Sequence, residues 1–189
     1  MSPEETNAMN EARRHVQRRL KRLARDNTEE LNKMLGRLSE RYDVEFSPME
    51  GTYGHSLPLS INLKDKHVTV PLSDWGSGTQ NRTHILMAML KANRIRSSAS
   101  QESRITPIVV IEEPESFLHP SAQAEFGRIL KVISDETGIQ LLVTSHSPYM
   151  LNQQEPAANL LLEREVRRGQ LGPTHVLEVA ADHAPKASI

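Results

Sequence analysis

Two short aliphatic runs, Ile108-Val109-Val110-Ile111 and Leu141-Leu142-Val143, constrain this chain more than any other feature. Runs of this kind mark strands covered on both faces, as in a parallel sheet. Between them, Ser121 to Asp135 has helical spacing, so the segment reads as a strand–helix–strand unit with a right-handed crossover. The two strands then run in one direction and end at one rim. Ligands of open parallel sheets gather at such rims, because loops converge and helix N-termini point there. The first strand runs into Glu112-Glu113-Pro114-Glu115, and the second into Thr144-Ser145-His146-Ser147-Pro148. An acidic pair and a histidine 33 positions further on (113 to 146) should therefore meet. An acid at a buried strand end is costly unless paired, hydrogen-bonded or bound to a cation. A doublet of acids favours the cation, and magnesium with a phosphate ester fits.

The rest of the chain is organised around that unit. Residues 2–42 carry Met9, Ala12, Val16, Leu20, Leu23, Leu31, Met34, Leu35, Leu38 and Tyr42 at spacings that place one apolar stripe on a helical arm. Ser2-Pro3-Glu4-Glu5 has the form of a capping box, and Asn27-Thr28-Glu29-Glu30 that of a second one. Two helices with a break near Asn27 are expected. Residues 44–72 alternate apolar and polar side chains and are punctuated by Gly51, Gly54 and Pro58, which predicts short antiparallel strands. The glycine-bearing turn Asp74-Trp75-Gly76-Ser77-Gly78-Thr79-Gln80 then feeds a helix running to about Arg94, followed by a polar loop, Ser97 to Ser103. Leu160-Leu161-Leu162 and Val176-Leu177-Glu178-Val179 read as a closing hairpin, and residues after Ala180 as a tail. The fold class is α/β. Its expected division is a helical arm over 1–42, a parallel-sheet lobe with a small antiparallel region over 43–180, and a tail over 181–189.

Composition narrows the function classes. A chain of 189 residues has room for one ordinary core, and with only one Trp, three Tyr and three Phe that core must be aliphatic. The 23 Lys and Arg against 24 Asp and Glu leave a net charge of -1. This excludes a uniformly basic nucleic-acid coat and an acidic disordered tail protein. The absence of cysteine removes disulfides, thiolate zinc sites, iron–sulfur clusters and cysteine nucleophiles. No apolar run reaches membrane-helix length, and the N-terminus lacks the order of a signal peptide, so a cytoplasmic chain without a membrane partner is expected.

The motifs together resemble one superfamily. Ile108 to Glu113 resembles a Walker B strand with its following glutamate, Leu118-His119-Pro120 a D-loop region, and Thr144 to Pro148 a switch-histidine loop. Gly76-Ser77-Gly78-Thr79-Gln80 resembles the ABC signature, usually LSGGQ. Their order across 72–150 is similar to the C-terminal lobe of ABC-class ATPases of the RecF, SMC and especially OLD (overcoming lysogenization defect) kind. That resemblance implies a P-loop-NTPase-like fold acting on ATP with Mg2+. By it, Glu112 would hold magnesium through water, Glu113 would be the general base, and His146 would contact the γ-phosphate and order the attacking water. Ser77, Gly78 and Gln80 would contact the γ-phosphate of a nucleotide held by the opposite subunit. The chain departs from the usual pattern in having Glu112 where aspartate is common, Gly76 for leucine and Thr79 for the second glycine.

None of the nine glycines is followed by lysine, so GxxxxGK[ST] is absent and the chain reads as half of an ATPase. The implied partner is a Walker-A-bearing lobe or chain in a homo- or hetero-oligomer, with an effector nuclease and DNA as further partners. A nuclease domain of the OLD type would need residues beyond the hairpin that the tail does not supply. Taken singly, each motif has a bland explanation: a solvated strand-end turn for Glu112 and Glu113, a structural role for His146, a helix-capping turn for Ser77, Gly78 and Gln80. Glu115 and His119, four apart, fit a turn-stabilising or interface role better than a zinc pair. Seven bases between Arg13 and Arg25 fit a solvated helix face, DNA phosphate contact or an acidic partner. Three functions remain: the ATPase lobe, a dimerisation or regulatory module that keeps the lobe's shape, and a metal-dependent nuclease using Glu112, Glu113 and His146.

Overall fold

The stripe of apolar residues near the N-terminus does form a helix, α1, and in the computed structural model it is a single one, Pro3–Leu35. The expected break at Asn27 is absent. Thr28 does not begin a second helix; its Oγ1 donates back to the Ala24 carbonyl at 2.9 Å, and Arg25 bridges to Glu29 at 2.7 Å across the same point. Both contacts are one-turn contacts that exist only in continuous helix. The structure describes residues 3–39, 42–48, 59–65, 68–98, 106–167 and 169–177. The Ser2 cap, the glycines at 51 and 54, the loop at 99–103 and the tail lie outside the described residues. Two compact units emerge, 1–98 and 99–189.

In the first unit the C-terminal half of α1 supplies Leu31, Met34 and Leu35 to a core shared with Leu38, Tyr42, Val44, Leu63, Leu86 and Met89. Three antiparallel strands follow in the order β1-β2-β3: β1 Asp43–Pro48, β2 Leu59–Asp65 and β3 Val68–Pro71. Asn32 ties α1 to β1 at two points, accepting from the Val44 amide at 2.7 Å and donating to the Val44 carbonyl at 3.2 Å. A 3-10 turn, Leu72–Asp74, leads to α2, Ser77–Ser98, which starts within the glycine-bearing turn and runs past the expected Arg94. Glu30 of α1 receives Arg94 and Asn93 of α2, each at 3.3 Å.

The second unit contains the strand–helix–strand segment. β4 Ile108–Glu112 and β5 Gln140–Thr144 pair in parallel, and α3, Pro120–Thr137, connects them. α3 buries Phe126, Ile129, Leu130 and Ile133, one face at helical spacing. It ends where Gly138 adopts φ 62°, a left-handed conformation that glycine takes without strain. Lys131 bonds Asp135 one turn on, and this hydrogen bond raises the ammonium above the ordinary lysine value. Among the described residues the expected cover on both faces of the parallel strands is not seen. Ile108, Val110 and Leu142 share one face and are 63%, 60% and 53% exposed. β6 Leu161–Arg167 and β7 Gln170–Leu177 form the expected closing hairpin. Among the described residues no helix is long and apolar enough to cross a membrane.

Candidate functional site

The rim is built by register. Ile108 pairs with Gln140 and the ladder runs unbroken to Glu112 opposite Thr144, so both strands end at one level. The ladder continues one residue further, because the Glu113 amide donates to the Thr144 carbonyl at 2.9 Å. There the chain turns sharply. Glu113 has φ 44° and Phe117 φ 65°, both in the left-handed region that a side chain with a β-carbon occupies only at a cost. Between them, Ser116 N–H bonds the Glu113 carbonyl and Leu118 N–H the Glu115 carbonyl, each at 3.0 Å. Strained backbone of this kind gathers at functional sites.

His146 stands opposite. Its Nε2 lies 3.6 Å from Glu113 Oε1, with the imidazole side chain 90% and the carboxylate 56% exposed. The structure therefore brings Glu113 and His146 side by side and keeps the exposed Glu112 at the same strand end. In this open arrangement water and an anionic ligand can reach both groups.

The backbone under His146 is held from below. Glu115 Oε1 accepts from Ser145 Oγ at 2.7 Å and from the His146 amide at 2.8 Å. Ser145 Oγ in turn accepts from the Ser147 amide at 3.0 Å. Ser147 Oγ donates to Gln123 Oε1 at 2.6 Å and accepts from Tyr149 N–H at 3.2 Å. Gln123 closes the circuit by donating to the Leu118 carbonyl at 2.8 Å. Ser145 and Gln123 were not legible as site residues. The serines on either side of His146 were the only local signal, and nothing in the sequence names their partners.

Ser77, Gly78 and Gln80 cluster at the start of α2 in the first unit. The Gly76 carbonyl accepts from the amides of Thr79 at 3.0 Å and Gln80 at 3.1 Å. The amides of Ser77 and Gly78 occupy the first helical turn, where no intrahelical acceptor exists. The Gln80 amide nitrogen is engaged with its own turn, donating to Trp75 O at 2.6 Å and Ser73 O at 3.0 Å. Trp75 packs on Tyr42, ring centroids 5.9 Å apart.

Among the described residues no group of three or more His, Asp or Glu is placed to hold a metal ion. The Glu115–His119 pair does not form: Glu115 binds the histidine loop, and the His119 ring caps α3 by accepting from Ser121 N–H. The exposed carboxylate of Glu112 fits magnesium, which binds through one or two carboxylates with water and substrate phosphates supplying the rest. It does not fit a cation caged by protein alone.

The sequence profile of a family described as "AAA ATPase domain" matches residues 3–151. The Old nuclease of Escherichia phage P2 is 31% identical over 102 residues, 54% of this chain and 17% of that protein. Endonuclease GajA of Bacillus cereus is 24% identical over 132 residues, 66% of this chain and 19% of that protein. The chain thus spans less than a fifth of the length of these relatives. Among solved structures, one titled "Structural biochemistry of ATP-driven dimerization and DNA stimulated activation of SMC ATPases" superposes with a TM-score of 0.58 at 14% identity, covering 89% of this chain and 92% of that one. At that identity the likeness speaks to the fold alone.

Proposed function

Because the chain belongs to the AAA ATPase domain family, we propose that it is the signature and Walker B half of an ABC-class ATPase that hydrolyses ATP together with a Walker-A-bearing chain or segment, in DNA processing or anti-phage defence. One observation carries the reading: parallel register sets Glu112 and Glu113 at the strand end whose neighbour leads into His146, with Glu113 Oε1 and His146 Nε2 3.6 Å apart. Two further features support it. The exposed face at Ile108, Val110 and Leu142 leaves room for a covering lobe, since parallel sheets are normally buried on both faces. The partial relatives are nucleases by name.

In this reading Glu113 takes a proton from the attacking water, and His146 holds that water in line and donates a hydrogen bond to the γ-phosphate. Their closeness lets one water touch both groups, which is the geometric requirement for a general base. Glu112 would hold Mg2+ through water, where bound metal would supply neutralisation of charge on the phosphate oxygens. The amides of Ser77 and Gly78 approach a nucleotide held by the opposite subunit, a favourable place for an anion because the helix dipole points there. Gln80 shapes that turn through its bonds to Ser73 and Trp75. DNA phosphates would contact α1 along Arg14, Arg18 and Arg22, exposed bases one turn apart.

The test is MgATP turnover by the chain combined with a Walker-A-bearing partner or within a full-length parent. Glu113→Gln should lower turnover by about 10² to 10⁴, the range for loss of a general base, and should trap bound nucleotide. Unchanged turnover would remove Glu113 from the mechanism. Absence of any nucleotide dependence, in activity or in assembly, would leave a dimerisation or regulatory module.

A further inference from the structure

The buried Glu115 has no part in the chemistry just described, yet it holds two donors of the histidine loop. It is 9% exposed. One of its oxygens, Oε1, takes both the Ser145 hydroxyl at 2.7 Å and the His146 amide at 2.8 Å. The other, Oε2, is buried and has no hydrogen-bond partner among the described residues. A carboxylate taken out of water with one oxygen unpaired is unfavourable. A fold that keeps one at this point is using its acceptor oxygen to hold the two donors of the histidine loop.

We infer that Glu115 is a positioning residue, a clamp that fixes the His146 backbone against the Glu113 turn so that imidazole and carboxylate face one water. Three observations support it. Glu115 sits between the two left-handed residues, Glu113 and Phe117, so its own backbone is set by the turn that carries the base. Its bonds reach across 30 and 31 positions of chain, to Ser145 and to the residue bearing the imidazole. The His146 side chain itself is 90% exposed, so packing does not hold it and the direction of its Cα–Cβ bond depends on how the backbone is fixed. The Ser147–Gln123–Leu118 bonds brace the same loop from α3. This inference rests on the proposed ATPase reading only for the purpose of the clamp. The clamp itself is a property of this chain.

The decisive measurement is amide hydrogen exchange on the full 189-residue chain, comparing wild type with Glu115→Gln and Glu115→Ala. Loss of the acceptor should speed exchange at the His146 amide about 10- to 100-fold, the range for one hydrogen bond to a charged group. The amides of Ile129 and Leu130 in α3, which report the stability of the whole unit, should speed up less than that of His146. Glu115→Gln, which retains an acceptor oxygen, should recover most of the protection. In the assembled ATPase, Glu115→Ala should lower kcat about tenfold or more with KM for ATP within about twofold, and Glu115→Gln should restore at least half of kcat, as expected for an interaction that acts through orientation. An unchanged His146 rate in Glu115→Ala would overturn the clamp. Equal acceleration at His146 and Leu130 would also overturn it, in favour of a purely structural role. If Glu113→Gln leaves turnover intact while the exchange pattern appears as stated, the clamp stands and the ATPase reading falls.

Discussion

At position 113 the usual order of glycine and alanine should be reversed. Glu113 has φ 44°, where a β-carbon crowds the carbonyl at about 1–2 kcal/mol. Glu113→Ala and Glu113→Gly both delete the carboxylate and its approach to His146, so that loss cancels between them. Alanine keeps the crowding. Glycine removes it but adds about 0.4–1 kcal/mol of unfolded-state entropy. The difference leaves Glu113→Gly the more stable of the two by about 0.5–1 kcal/mol, whereas in regular helix or strand glycine is the worse by a similar amount. The assay must report on the unit that holds the turn. The only tryptophan, Trp75, lies in the other unit, so its fluorescence does not probe the turn directly. Exchange of the Ile129 and Leu130 amides in α3, both residues buried, reads the unit that holds it, and the expected difference is about two- to fivefold slower exchange in Glu113→Gly. Equal rates, or slower exchange in Glu113→Ala, would refute the argument that the base is carried on strained backbone.

Three further outcomes follow from single contacts. Phe126→Ala empties the fully buried centre of α3 and should destabilise its unit by about 3–5 kcal/mol in denaturant unfolding. Asn32→Ala removes both bonds to Val44 and should cost about 1–3 kcal/mol by Trp75 fluorescence, while Asn32→Asp, which keeps the acceptor for the Val44 amide, should cost less. Replacing Arg14, Arg18 and Arg22 by alanine should weaken DNA binding uniformly across sequences and lower the slope of log K against log salt by about 2.7 if all three reach phosphates of duplex DNA. An unchanged slope would assign the basic face to solvent or to an acidic protein.

Much of the second unit was legible because its signals are local. Aliphatic runs and a helix of period 3.6 are each decided within a few residues, and β4, α3 and β5 appear within a few positions of where they were expected. The break at Asn27 was misread for the same reason. Asn-Thr-Glu-Glu has the form of a cap, but the Thr28 hydroxyl has a nearer acceptor in the Ala24 carbonyl, and burial of Leu20, Ala24 and Leu31 favours an uninterrupted face. The double cover expected for β4 and β5 is also not seen among the described residues, because composition shows that a strand can be buried and not whether anything lies on it.

The order of residues alone determined that an acidic pair and a histidine follow two neighbouring strands, since strand direction and chain connectivity suffice to send both loops to one rim. Only the tertiary structure decided how those loops are held there. A buried carboxylate at 115 finds its donors 30 and 31 positions away, and Gln123 finds Ser147 24 positions away. Side-chain partners at such separations are selected by three-dimensional proximity, which no pattern of neighbouring residues encodes.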